Sequence, residues 1–174
     1  MVIRPRPSVH PSTLRDASFV MANLRPRDRA EIMCQVPEGT KTHELAYGLN
    51  LSPEAWTIHL EDRQPIALFG ENHMTPACVI VWAMGTRHMW RAIPLLTQFM
   101  RDDVVPRLIA QGYCTMEARS HVLHLQAHRW MHSTGAVQAD QPYEYGRNGE
   151  KFITFRWTAD AFAAISSTKS GAPA

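Results

Sequence analysis

The stretch VIVWAMGTRHMWRAIPLLTQFM, residues 79–100, combines an apolar strand, a short connection and the start of an amphipathic helix. Free backbone N–H groups at a helix N-terminus attract anions, so this arrangement could hold a phosphate group. Glycines normally let the backbone approach such a ligand closely, and none occurs between positions 85 and 95. The residues at this position that could contribute are Gly85, Thr86 and the cationic candidates Arg87, His88 and Arg91.

A second group that could do chemistry is the set of histidines in SHVLHLQAHRWMHSTG, which has the periodicity of a helix over residues 120–135. Successive histidines are three, four and four residues apart, so on a helix their side chains would lie within roughly 80° of one another on one face. Such a face could gain charge near pH 6, bind another protein, or simply be a solvated polar face. We expect it to face another protein. These interface candidates are His121, His124, His128 and His132; His124 and His128 have chelating spacing, although no metal is expected.

No common nucleophile or phosphate motif is present: the sequence contains no GxSxG, no HExxH and no P-loop. The cysteines Cys34, Cys78 and Cys114 are odd in number and far apart, as is typical of free thiols in a reducing cytoplasm. Cys114, near the end of a predicted strand, could be reactive, but a thiol buried in the sheet is the favoured interpretation. The absence of a CxxC pair excludes a zinc ribbon.

Composition indicates one globular domain. The chain has 174 residues, 45% hydrophobic and 20% charged, with a formal net charge of +2. This balance gives no reason to expect a nucleic-acid-binding or a membrane-binding surface, and no window approaches the ~20 apolar residues of a membrane span. The N-terminus also lacks the apolar region of a secretory signal. One cluster, Arg25, Arg27 and Arg29 with Asp28 and Glu31, is interpreted as a solvated helix face.

The N-terminal third is predicted to be helical after an extended start at residues 2–4. Prolines at positions 5, 7 and 11 keep the following segment out of a helix. Asp16 or Ser12 can cap a first helix, and Pro26 suits the first turn of a second. The segment HELAYGL predicts a third short helix.

Three short apolar runs follow, AWTIHLE, QPIALFGE and ACVIVWAMG, and they predict consecutive antiparallel strands. Pro94 begins a helix that Pro106 must kink or split, and Gly112 ends it. YCTMEA predicts a strand, the histidine-rich segment a helix, and the last stretch a hairpin with RNG near its turn.

This order predicts an α+β (mixed α/β) single domain with a central, mostly antiparallel sheet of about six or seven strands and helices on both faces. We assign residues 1–158 to this domain. Residues 159–174, which include SSTKSGAPA, are predicted to be a flexible tail.

The element order resembles the GNAT acetyltransferase fold, and HRWMHSTGAV resembles the end of that fold's last helix. Further segments, LRPRDRAEI, LSPEAWTIHLEDRQPIALFGE, VWAMGT and GEKFITFRW, are similar to the acetyltransferase-like internal virion proteins of short-tailed, T7-like phages. The resemblance covers about residues 12–158. It implies a GNAT-like domain located in the virion and synthesised in the bacterial host cytoplasm.

The same resemblance implies that the catalytic site is lost. Active GNAT members carry two small residues, usually glycines, where their loop binds the diphosphate of coenzyme A. Here Trp90 and Ile93 are expected to crowd a diphosphate, and Pro94 removes one backbone donor. The tyrosine that often serves as general acid is replaced by Met131, and the usual asparagine falls near Ser120. We therefore expect no catalytic residue, no bound cofactor and a vestigial loop.

The expected function is a non-catalytic phage structural protein, an internal virion or ejection-associated component active in assembly or genome delivery. Its expected partners are other virion proteins of the capsid, portal or internal core, in an oligomer or in multiple copies. No membrane and no sequence-specific nucleic acid are expected. The alternative is an acetyl-CoA-dependent N-acetyltransferase with an atypical cofactor loop.

Overall fold

A computed structural model describes residues 7–52, 54–60, 63–158 and 160–161, and its elements largely follow the predicted order. The helices are α1 (Leu14–Ala22), α2 (Pro26–Met33), α3 (Thr42–Asn50), α4 (Met89–Phe99), α5 (Val105–Ala110) and α6 (Leu125–Ser133). The strands are β1 (Ser8–Pro11), β2 (Glu54–His59), β3 (Pro65–Thr75), β4 (Cys78–Gly85), β5 (Thr115–His121), β6 (Val137–Gln138), β7 (Tyr143–Glu144) and β8 (Lys151–Thr158).

Among the described residues these strands form one sheet in the order β1-β2-β3-β4-β5-β8-β6, and β7 also pairs with β8. The pairs β1/β2, β2/β3 and β5/β8 are antiparallel, whereas β4 and β5 are parallel over residues 78–80 and 115–117. A parallel pair needs a crossover connection, which α4 and α5 provide here. The prediction of a mixed α/β fold with one mostly antiparallel sheet is confirmed. None of the described helices is long and apolar enough to cross a membrane.

The chain divides into two compact units, of which the first comprises the described parts of residues 1–72 and 81–96. Its first helix is capped by Thr13, and not by Asp16 or Ser12 as the sequence suggested: the Thr13 hydroxyl accepts the N–H of Asp16. Pro26 opens α2 as predicted, at a position where a missing N–H breaks no helical bond. The buried core of this unit contains Ala17, Val20, Met21, Ala46, Leu68 and Met84.

The second unit comprises the described parts of residues 73–80 and 97–174. Between α4 and α5 the helix widens into a π-helical turn, Met100–Val104, and Pro106 is the second residue of α5. A proline has no N–H and its ring collides with the carbonyl four residues earlier, so a regular α-helix cannot continue through it. The predicted interruption at Pro106 is thereby confirmed. Gly112, with φ +89°, follows α5 as the predicted stop.

The C-terminal hairpin of the second unit has the predicted form. Tyr143 pairs with Phe152 and Glu144 with Lys151, and Gly149 in the turn has φ +83°. The largest buried side chains of this unit are those of Leu108, Met116, Phe152, Phe155 and Trp157.

Two predictions fall on residues that the structure does not describe. The extended start at residues 2–4 lies outside the described ranges, as does the predicted tail apart from residues 160 and 161. The boundary at residue 158 stays a prediction.

Candidate functional site

The predicted loop lies between the end of β4 and the start of α4, within the first unit. Gly85 is the last residue of β4, and α4 begins four residues later. Thr86 is 4% exposed, so this part of the connection packs into the protein. Arg87 is exposed, and His88 and Arg91 are half-buried, so all three polar side chains remain accessible to a ligand.

Most backbone N–H groups of this loop are already paired inside the protein. Within the described ranges, the N–H groups of this loop without a hydrogen bond of standard geometry to the protein are those of Arg87 and of Trp90, the latter in the first turn of α4. A bound anion would therefore depend on side chains more than on a backbone cradle. The paired N–H groups are those of Gly85 (to Asp28 Oδ2, 2.7 Å), Thr86 (to Ile66 O, 2.9 Å), His88 (to Thr86 Oγ1, 3.2 Å), Met89 (to Thr86 O, 2.9 Å) and Arg91 (to His88 O, 2.9 Å).

The cationic side chains of the loop are partly preorganised. Arg87 donates from Nε to His88 Nε2 at 3.1 Å, so His88 accepts at Nε2 and carries its proton on Nδ1. The bond orients the guanidinium while leaving its two Nη groups available to an anion. Guanidinium groups bind phosphate oxygens through such paired donors. Arg91, in the first turn of α4, supplies a second guanidinium group.

Of the objections raised by the sequence, the one at Pro94 is wrong, whereas the crowding expected from Trp90 and Ile93 stays a prediction. Trp90 is 70% exposed, so its ring faces solvent. Pro94 is the sixth residue of α4, and its missing N–H would have paired with Trp90 O inside the helix. Since only the first turn of a helix offers unpaired N–H groups, Pro94 removes none of them. The absence of a glycine pair remains as the departure from the GNAT pattern.

A residue that the sequence did not single out holds the start of this loop. Asp28, expected on a solvated helix face, is 2% exposed. Its Oδ2 accepts the N–H of Gly85 and its Oδ1 accepts Arg25 Nε, both at 2.7 Å. Arg27 and Arg29 are exposed, as predicted. No local signal distinguishes Asp28 from an ordinary first-turn carboxylate, because its partner Gly85 lies 57 positions away.

The histidines do not form one helical stripe, so that prediction is wrong. β5 continues to His121 and α6 begins only at Leu125, so His124 precedes the helix and His128 and His132 lie within it. Pairing of His121 with Phe152 of β8 extends the strand at the expense of the helix. His124 and His128 are 6% and 9% exposed. These two side chains therefore belong to the interior more than to an accessible interface.

The two remaining candidates from the sequence, Met131 and Ser120, also lie in the interior of the second unit. Met131 is 3% exposed and Ser120 is 2% exposed. Because a thioether carries no proton, Met131 supplies no acid at the place where the resemblance puts a tyrosine. Within the described residues no group of three or more His, Cys, Asp or Glu side chains could hold a metal ion.

The cysteines differ from one another in accessibility. Cys34 and Cys78 are half-buried, whereas Cys114 is exposed, so the interpretation of Cys114 as a buried thiol is wrong. Burial, assisted by the negative charge of Glu117, raises the pKa of the Cys78 thiol. Cys78 is therefore a poor nucleophile.

Solved acetyltransferase structures resemble the chain over most of its length. A presumed acetyltransferase from T. thermophilus superposes with a TM-score of 0.72 at 12% identity, covering 95% of this chain and 92% of that one. The presumed acetyltransferase yncA from Salmonella typhimurium, solved with its cofactor acetyl-CoA, gives 0.65 at 10% identity, covering 88% and 94%. The ribosomal-protein-S18-alanine N-acetyltransferase from Escherichia coli gives 0.63 at 10% identity, covering 87% and 93%.

The chain has a GNAT acetyltransferase-like fold. At these identities the similarity establishes the fold alone. No protein-family profile matches the sequence, and no curated protein matches it either.

These structures overturn the expected function. The three solved proteins named above are acetyltransferases or presumed acetyltransferases, and they favour the alternative of an acetyltransferase over a non-catalytic phage structural protein. None of them supports a virion location or virion partners. The expectation that the domain has lost catalytic activity is not tested by them.

Proposed function

We propose that this protein is an acetyl-CoA-dependent N-acetyltransferase whose cofactor loop uses cationic side chains in place of a glycine-rich cradle. The observation that carries this proposal is the loop at residues 85–91, which joins a central strand to the N-terminus of an 11-residue helix. Its position corresponds to that of the coenzyme A loop in the resemblance given above. The interior position of Pro94 in α4 removes one reason for considering the loop closed to a diphosphate.

The residues at this loop fit the anionic part of coenzyme A. The Nη groups of Arg87, the side chain of Arg91 and the N–H of Trp90 are donors that could bind phosphate oxygens. Bound acetyl-CoA would supply an acetyl group activated as a thioester. The role of the chain is then to hold and orient the cofactor so that an amine can reach that group. Met131 cannot act as the general acid, because its thioether has no proton to donate.

Cofactor binding is the direct test of this proposal. Adding coenzyme A at a hundredfold excess over its Kd stabilises the folded state by about 2.7 kcal/mol. For a chain of this size that corresponds to a rise of about 5–10 °C in Tm. Acetyl transfer is followed separately, by release of free coenzyme A thiol with a panel of small amines and peptide N-termini.

The binding site is located by paired variants. Changing Arg87 and Arg91 together to Ala should weaken coenzyme A binding by tenfold or more, since each loses a charge-assisted hydrogen bond of about 1.5–3 kcal/mol. Arg129→Ala removes an exposed arginine of α6 and serves as the control, with unchanged affinity. An unaltered Tm and no heat of binding at millimolar coenzyme A would refute the proposal.

A further inference from the structure

We propose that Asp28 is a positioning residue for the cofactor loop: its buried carboxylate holds Gly85 so that residues 85–91 present their cations in a fixed direction. The inference rests on the proposed function, since it assigns a role to Asp28 at that same loop. Asp28 lies on α2, far from the loop in sequence and in contact with it in the folded unit.

The two oxygens of this carboxylate have different donors. Oδ2 accepts the Gly85 N–H and Oδ1 accepts Arg25 Nε, each at 2.7 Å. A carboxylate that is 2% exposed is tolerated only when it is hydrogen-bonded and its charge is balanced. The arrangement meets both conditions: Gly85 and Arg25 donate the hydrogen bonds, and the Arg25 guanidinium balances the charge.

The backbone around Gly85 is fixed from several directions. Gly85 O accepts the N–H of Arg25 at 3.0 Å, and Thr86 N–H donates to Ile66 O at 2.9 Å. A β-bridge between Leu24 and Thr86 continues the same attachment. A Cβ on Gly85 would lie 2.9 Å from Ile66 O and 2.8 Å from the Cβ of Met89, so there is no space for another residue type.

This attachment determines where the cations of the loop point. Arg87 follows Gly85 by two residues, and His88, which orients its guanidinium, follows by three. Binding sites lose much of their affinity when their donors are displaced by about 1 Å. Releasing Gly85 from Asp28 would therefore weaken cofactor binding even though Asp28 itself need not touch the cofactor.

The direction in which coenzyme A affinity changes when the Asp28 charge is removed distinguishes a positioning role from a direct electrostatic one. Asp28 carries negative charge close to a site proposed to bind an anion, so removing that charge should tighten binding if charge alone mattered. A positioning role predicts the opposite. Asn offers one acceptor oxygen and one NH₂ group, so it cannot accept from both Gly85 and Arg25. Asp28→Asn should therefore weaken coenzyme A binding.

The experiment compares the full-length wild type with Asp28→Asn by calorimetric titration with coenzyme A and by steady-state kinetics. We expect Kd for coenzyme A and KM for acetyl-CoA to rise about tenfold, because the donors of the released loop are displaced from the cofactor, while kcat at saturating cofactor changes less than twofold. Asp16→Asn is the matched control. It removes a carboxylate of the same unit, whose Oδ1 lies 3.1 Å from His59 Nε2, and should leave Kd within twofold.

A second variant keeps the test usable if Asp28→Asn does not fold. Asp28→Glu retains the charge but displaces the carboxylate by one methylene, and it should weaken binding as well. Wild-type protein that binds no coenzyme A refutes the proposed function, and the role of Asp28 with it. Wild-type protein that binds, with Asp28 variants that bind equally well or more tightly, overturns the positioning role alone.

Discussion

His128 donates from Nε2 to the carbonyl oxygen of His121 at 3.1 Å, although one residue lies in a helix and the other ends a strand. A carbonyl can only accept, so the Nε2 atom must carry the hydrogen. The His128 ring also lies 4.9 Å from that of Phe155 in β8. This side chain therefore joins α6 to the sheet of the second unit.

Changing His128 to Ala should lower the free energy of unfolding by about 2 kcal/mol. The substitution removes a buried hydrogen bond and leaves a cavity beside Phe155. Urea denaturation followed by circular dichroism measures the effect. His43→Ala, at an exposed position of α3, is the control and should change stability by less than about 0.5 kcal/mol. If the two substitutions lowered the free energy of unfolding equally, the packing of His128 against Phe155 would be contradicted.

Substitution of two glycines by alanine should change the stability of the folded protein in opposite directions. A Cβ on Gly70 of β3 would meet the ring of Trp82 and lie 2.6 Å from the carbonyl oxygen of Glu54. Because Glu54 O is backbone, it cannot move aside, and Gly70→Ala should cost about 1–3 kcal/mol. Gly48 in α3 has open space around it, so Gly48→Ala should stabilise the protein by about 0.5–1 kcal/mol. Thermal unfolding of both variants tests the difference in sign.

Alkylation should distinguish the thiols. Cys114 is exposed, whereas the pKa of Cys78 is raised by burial and by Glu117. The thiolate is the reacting species, so a raised pKa leaves Cys78 with less of it at any pH below that value. Iodoacetamide at pH 8, with peptide mass spectrometry over time, should label Cys114 before Cys78. Labelling in the reverse order would show that burial does not control the reaction.

Trp90→Ala tests whether this side chain obstructs the cofactor loop. Since the ring is 70% exposed, its removal should change the free energy of unfolding by less than about 0.5 kcal/mol. Its removal should also fail to tighten coenzyme A binding, measured by titration against the wild type. A large gain in affinity would confirm that Trp90 crowds the diphosphate.

Local signals predicted much of the fold. Pro26 at the start of α2, the interruption at Pro106 and the turn around Gly149 each follow from the backbone restrictions of one residue. The strands β2, β3 and β4 followed from short apolar runs. These features depend on residues close together in sequence, which is why the sequence reveals them.

Features set by distant partners were not predictable in this way. His121 and His124 have helical spacing, yet pairing with β8 keeps His121 in a strand. Asp28 has the pattern of a solvated carboxylate, and only Gly85 makes it a buried one. The expected phage function rested on short similar segments, and the fold shared with solved acetyltransferases favours a different one.

The terminal strands of the sheet, β1 and β6, have four and two residues in the described part of the chain. Pro11 ends β1, and a proline offers no N–H to an incoming strand. A long, regular edge strand exposes unpaired backbone groups, to which strands of other molecules can pair and so begin aggregation. Edge strands as short as β1 and β6 offer few free backbone groups to which a strand of another molecule could pair.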